Sequence, residues 1–146
     1  MRNARRAATV FGVGVILNFI WEMAQAPLYR PMGSFWEATW RCFNASLGDG
    51  VLVIAVWLAG GGLFGSTTWF LRLSTGRLAF ATGAGLCVAV LIELWGLQAG
   101  RWSYTQHMPL VPGTLLGVVP LAQMAVLVPL TFRLAAAWRY SCTRSQ

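Results

Sequence analysis

Four apolar windows, each about twenty residues long and separated by arginine-bearing segments, set the terms on which this chain can fold. They cover about 9–28, 45–64, 78–97 and 115–134. A stretch of that length matches the roughly 30 Å hydrocarbon core of a bilayer when it is helical. Inside hydrocarbon every backbone N–H and C=O must be paired within the protein, which restricts a chain with such windows to helices or a closed barrel. Continuous apolar runs, without strict alternation, select the helix. With 57% of its 146 residues hydrophobic and 10% charged, the chain has more apolar surface than a water-soluble domain of this size can hide. The expected fold is therefore all-α: an integral membrane four-helix bundle, one transmembrane domain spanning 1–146.

Arginine placement gives the orientation. All 11 basic residues are arginine and the formal charge is +7. With the N-terminus inside, Arg2, Arg5, Arg6, Arg72, Arg77, Arg133, Arg139 and Arg144 fall on the inner side. Arg30, Arg41 and Arg101 fall outside. The positive-inside rule then puts both termini in the cytoplasm, in a multi-pass protein of the plasma (inner) membrane. Trp36, Trp40, Trp102 and Tyr104 would form an outer aromatic belt, and Trp69, Trp138 and Tyr140 an inner one. The arginines flank apolar segments and form no basic stripe, so nucleic acid is not an expected partner. Ala24-Gln25-Ala26 looks like a leader cleavage site, but Asn18 and Glu22 inside the apolar run and Pro27 after the cut favour a retained first helix. Cys42, Cys87 and Cys142 fall at three different depths, too far apart for any pair to form a disulfide.

The connections carry their own signals. Ser34 is a candidate N-cap for the run from Phe35 to Arg41, and Glu37 with Arg41 makes an i, i+4 ion pair. This stretch reads as a short interfacial helix between spans 1 and 2, or as an extension of the second span. Pro109 and Pro112 mark the segment before span 4 as an ordered irregular loop, and Pro120 and Pro129 are expected to kink that span. Gly83 and Gly85 are expected to let helices approach closely.

The chain has four carboxylates, Glu22, Glu37, Asp49 and Glu93. Counting 1.5 Å per residue from the outer ends puts Glu22 roughly 9 Å deep, Asp49 and Glu93 roughly 6 Å, and Gln123 roughly 12 Å. An ionisable group at such depth costs several kcal/mol unless it is paired or hydrated, which makes it a functional candidate. Asn18, Glu22, Gln25 and Tyr29 follow helical spacing and share a face. That face must look into the bundle. The expectation is a polar cavity in the outer half, walled by Phe19, Trp21 and Trp95, over an inner half nearly free of polar side chains. Simple alternatives exist for these groups. The amides could only fix helix packing, Glu22 and Glu93 could be paired with Arg101 or Arg41, and Asp49 could start a helix.

The run Glu93-x7-Arg101-Trp102-x-Tyr104, followed by Met108-Pro109, Gly117, Pro120 and Gln123, resembles the membrane lycopene-cyclase domain of small polytopic proteins of carotenoid metabolism. The likeness spans residues 93–123. The family's Pro-x-Glu-Glu motif aligns here with Pro120-Leu121-Ala122-Gln123, which lacks the acidic pair. What the resemblance implies is an isoprenoid-like substrate, with acid chemistry moved onto Glu22, Asp49 or Glu93.

Three functions stay open at this level. An enzyme would use Glu22, Asp49 and Glu93 as catalytic acid and base in cyclising, isomerising or hydrating a lipid-soluble substrate. Asn18, Trp21, Gln25, Trp95, Arg101, Tyr104 and Gln123 would then bind and orient that substrate. A transporter or ion-binding subunit would use the same carboxylates for a cation or protons. An assembly factor would need them only to lock the bundle. The expected partners are membrane lipids and a hydrophobic small molecule, with a homo-oligomer left open. No motif demands a cofactor or a metal; His107 stands alone in a loop.

Overall fold

A computed structural model describes the backbone of residues 2–30 and 32–144 and the side chains of 3–30 and 32–138. Arg2, Arg139, Tyr140, Cys142 and Arg144, used above for orientation and cysteine depth, lie outside the described side chains. Four helices make up most of the chain: α1 (Arg2–Gln25), α2 (Phe35–Leu63), α3 (Thr75–Gln98) and α4 (Val118–Arg144). The segments Asn3–Leu28, Phe35–Leu63, Thr75–Gln98 and Val118–Trp138 are each long and apolar enough to cross a membrane. Their outward faces are apolar as well, with Ile16, Ile20, Leu58, Leu91 and Val126 all exposed. A multi-pass membrane protein is the architecture these features describe.

α1, α2 and α3 each bury a narrow stripe, and α4 buries a broader face. On α1 it is Val10, Gly14, Asn18 and Gln25; on α3 it is Ala81, Gly85, Ala89 and Glu93. Steps of four residues keep such positions on one side of a helix. Small residues on α3 let it approach α4 closely: a Cβ added at Gly85 would stand 2.5 Å from the Met124 carbonyl oxygen. Gly83 has no such neighbour, so only one of the two glycines expected at a helix contact is at one. Packing is closest for α1 on α2 and α3 on α4, then α1 on α4, while α2 and α3 are the loosest neighbours.

At the end holding the start of α1, the α2–α3 connection is folded inward. Its 3₁₀ turn, Trp69–Leu71, buries Trp69 and Phe70 against Phe132. Trp69 Nε1 donates to the Trp57 carbonyl at 3.0 Å, and Trp57 Nε1 donates to the Thr67 carbonyl at 3.0 Å. Trp69 is thus a core residue and not part of an aromatic belt. Trp138 remains exposed, as do Trp36 and Trp40.

The opposite end is closed by backbone pairing. α1 stops at Gln25, and Pro27 sits in a 3₁₀ turn, Ala26–Leu28. Strand β1 (Tyr29–Arg30) then pairs antiparallel with β2 (Ser103–Tyr104), placing Tyr29 opposite Tyr104 and Arg30 opposite Ser103. Tyr29 therefore leaves the helical face it was expected to share with Asn18, Glu22 and Gln25.

Three further expectations change. No separate interfacial helix lies between the first two spans, because Phe35–Leu63 is one continuous helix. Ser34 caps it in a reciprocal box with Glu37, and nothing between Arg41 and Ala45 breaks it. Asp49 accordingly sits in mid-helix and starts nothing. Pro120 falls in the first turn of α4, where a missing N–H leaves no bond unmade; only Pro129 lies in the helix interior.

Candidate functional site

α2 and α3 part at the strand-paired end, and a cavity of about 910 Å³ occupies the gap. Glu22, Asp49 and Glu93 all line it, from three different helices. Gln25 and Gln123 line it from α1 and α4, Trp95 and Trp102 from α3 and the loop after it. Part of the lining contributed by α2 and α3 is apolar: Val51, Leu52, Val88, Ala89 and Ile92. Val51 and Ile92 are also exposed on the outer surface of the bundle.

Gln123 is the centre of the polar wall. Its Nε2 donates to Asn18 Oδ1 at 2.9 Å, Glu22 Oε1 at 2.9 Å and Asp49 Oδ2 at 3.2 Å. Two amide hydrogens serving three acceptors must be shared. The Gln123 carbonyl accepts from Gln25 Nε2 at 2.7 Å, and the same Gln25 nitrogen donates to Glu22 Oε1 at 2.9 Å. Two carboxylates are thereby held against one nitrogen, and α1, α2 and α4 are fixed at one depth. Asn18 is fully buried behind this wall, its own amide tied to the Gly14 carbonyl at 2.9 Å. It supports Gln123 and does not reach the cavity. Trp21 donates to Gln25 Oε1 at 3.2 Å and also lies off the cavity, as does Phe19, which packs on Phe43. Of the three expected walls only Trp95 lines the cavity, joined by Trp102.

Glu93 has a separate set of donors. Trp102 Nε1 reaches its Oε2 at 3.3 Å, Tyr29 OH reaches Oε1 at 3.4 Å, and the Tyr104 hydroxyl donates to Oε2. The Gly117 N–H donates to the Tyr104 oxygen at 3.1 Å, which leaves the phenol proton directed at Glu93. Gly96 makes room for this cluster, since a Cβ there would collide with the Trp102 ring. Burial, reinforced for Tyr104 by the bond to Glu93 and for Tyr29 by the Glu93 charge, pushes both phenols well above the usual tyrosine range. Both stay neutral donors at any physiological pH. The donors recorded on Glu22 and Glu93 are amides, an indole and phenols, where an arginine partner was one expectation.

All three arginines of this end, Arg30, Arg41 and Arg101, line the cavity. The Arg101 guanidinium lies 5.6 Å from the Trp95 ring centroid, a cation–π contact. Trp102 and Arg30 were not singled out as site residues in the sequence, and Tyr29 was expected on the inward face of the first helix. Their placement depends on the β1–β2 pairing, a two-residue ladder too short to have a sequence signature. Among the described residues, no three His, Cys, Asp or Glu side chains are grouped to hold a metal ion.

The stretch 93–123 forms a coherent part of this site: Glu93, Trp102, Tyr104 and Gly117 bond one another, and Pro120 and Gln123 face the same cavity. Comparison with known proteins finds no match to any family model, curated protein or solved structure.

Proposed function

We propose that the protein is an integral-membrane enzyme that works on a lipid-soluble, isoprenoid-like substrate by carboxylate acid–base chemistry. The observation that carries this reading is the position of three carboxylates on one cavity that is also lined by apolar side chains of α2 and α3. A substrate dissolved in the bilayer would enter between α2 and α3 without crossing water. One carboxyl would give its proton to a carbon–carbon double bond, forming a C–H bond and leaving a carbocation. A second carboxylate would take a proton from a neighbouring carbon, completing an isomerisation or cyclisation; addition of water instead would complete a hydration. The faces of Trp95 and Trp102 would stabilise the cation in between. The likeness of residues 93–123 to the lycopene-cyclase domain favours an isoprenoid among possible lipids.

In this reading both termini lie in the cytoplasm of a plasma (inner) membrane protein, and the cavity lies in the outer leaflet. Exposed Phe35, Trp36 and Trp40 then bring the first turns of α2 to the outer interface. A path across one monomer is disfavoured by the packed Trp57, Trp69, Phe70 and Phe132 beyond the cavity floor.

Mass spectrometry of lipid extracts from cells with and without the protein tests the reading. A lipid differing by an isomeric rearrangement, or by one water, should depend on the protein. It should fall at least ~100-fold for Glu22→Gln or Glu93→Gln, in the range removed with a general acid or base. Normal accumulation of both variants with unchanged extracts would contradict the proposal.

A further inference from the structure

The cavity is chemically divided along its depth. Carboxylates and amides line one part of it, apolar residues of α2 and α3 line another, and three arginines line it from the loop-bearing end. These three are every arginine of the two connections and helix start at that end, and they come from separate elements: β1, the first turns of α2, and the segment before β2. The ladder that pairs Arg30 with Ser103 brings Arg30 to within a few residues of Arg101 along the facing strand. All three are exposed residues. Planar guanidinium forks suit an oxyanion with several acceptor oxygens.

We propose that the cavity takes a single-chain amphiphile with a phosphate-type head, the head held by Arg30, Arg41 and Arg101 and the chain lying in the slot between α2 and α3. The inference rests on the acid–base reading above and names its substrate class. It also supplies what that reading lacks, a means of register. A neutral hydrocarbon could slide in an apolar slot, whereas a head fixed at the mouth sets which carbon of the chain stops beside Glu22 and Asp49. The carboxylates stay compatible with an anionic ligand because the amides around Gln123 and the phenols around Glu93 donate to them.

Binding alone tests this, without turnover. The purified full-length protein in uncharged detergent is titrated calorimetrically with a long-chain alkyl monophosphate, the alcohol of the same chain, and inorganic phosphate. The alkyl phosphate should bind at least about 10-fold more tightly than the alcohol, and the advantage should shrink as salt is raised. Arg30→Gln, Arg41→Gln and Arg101→Gln together should reduce its affinity to that of the alcohol, while the matching Lys substitutions should retain part of the preference. Ile92→Trp, which narrows the slot, should weaken both chain-bearing probes alike. Equal affinities for alcohol and alkyl phosphate would overturn the inference. So would inorganic phosphate binding as tightly as the alkyl ester, which would mark a site for a free anion. Should the head-group preference fail while Glu22→Gln still abolishes the product, the acid–base chemistry stands and its substrate is neutral. Should the preference hold while extracts are indifferent to Glu22→Gln, the binding site stands and the chemistry falls.

Discussion

At the scale of single residues, Gln123 bears the most. One amide joins Asn18, Glu22, Gln25 and Asp49, so its removal leaves several buried polar groups without partners. Gln123→Leu is expected to lower stability by about 1–3 kcal/mol, the usual cost of orphaning buried groups. Melting in detergent reads that loss, and an unchanged melting temperature would show the network to be energetically idle. The phenols give a pH prediction. Tyr29 and Tyr104 are both displaced upward, so two of the three tyrosines should show no tyrosinate absorption at about pH 10, where a free tyrosine is half ionised. A raised folded value means that their contribution to stability is full below about pH 10 and is lost as pH rises beyond it. A spectrophotometric titration showing all three ionising together near pH 10 would contradict the Glu93 cluster. Glu22, Asp49 and Glu93 could be singled out in the sequence because a carboxylate among apolar residues is conspicuous. Tyr104 was among the expected binding residues, but its role as a donor to Glu93 was not legible, and Trp102 looks like an ordinary interfacial aromatic until the loop is folded.

At the scale of elements, the stripes that build the bundle were readable and their ends were not. Ala81, Gly85 and Ala89 step by four along α3 and lead directly to Glu93. The register that seats α3 on α4 therefore also aims this carboxylate inward. Gly85→Leu should drive a side chain into the Met124 backbone and cost about 1–3 kcal/mol, visible as a lower melting temperature together with loss of product. Gly96→Leu is different in kind. It should leave the bundle assembled but displace Trp102, abolishing activity with a smaller effect on melting; retained activity would show that Trp102 is dispensable. The start of α2 was left between a separate helix and an extension of the second span, because a cap at Ser34 and a polar stretch look the same whether or not a helix continues beyond them; the extension is what is found. Trp69 was mistaken for a belt residue for a related reason: hydropathy alone cannot show that a connection folds back into the core.

For the whole molecule, the division into a packed end and a hollow end follows from where the polar residues lie. Trp57, Trp69, Phe70 and Phe132 fill one end, and the carboxylates and amides leave the other open between α2 and α3. Reporter fusions at Gly33 and Ser74 should report opposite sides of the membrane, Gly33 outside. A common side would overturn the topology and the leaflet assigned to the cavity. In the proposed reaction a buried carboxyl delivers a proton to a carbon of a lipid. Incubating membranes that contain the protein in deuterium oxide reads that transfer. One deuterium should enter a non-exchangeable carbon of the protein-dependent lipid, and be lost with Glu22→Gln or Glu93→Gln. A product formed without solvent deuterium, or formed equally well by both variants, would contradict it.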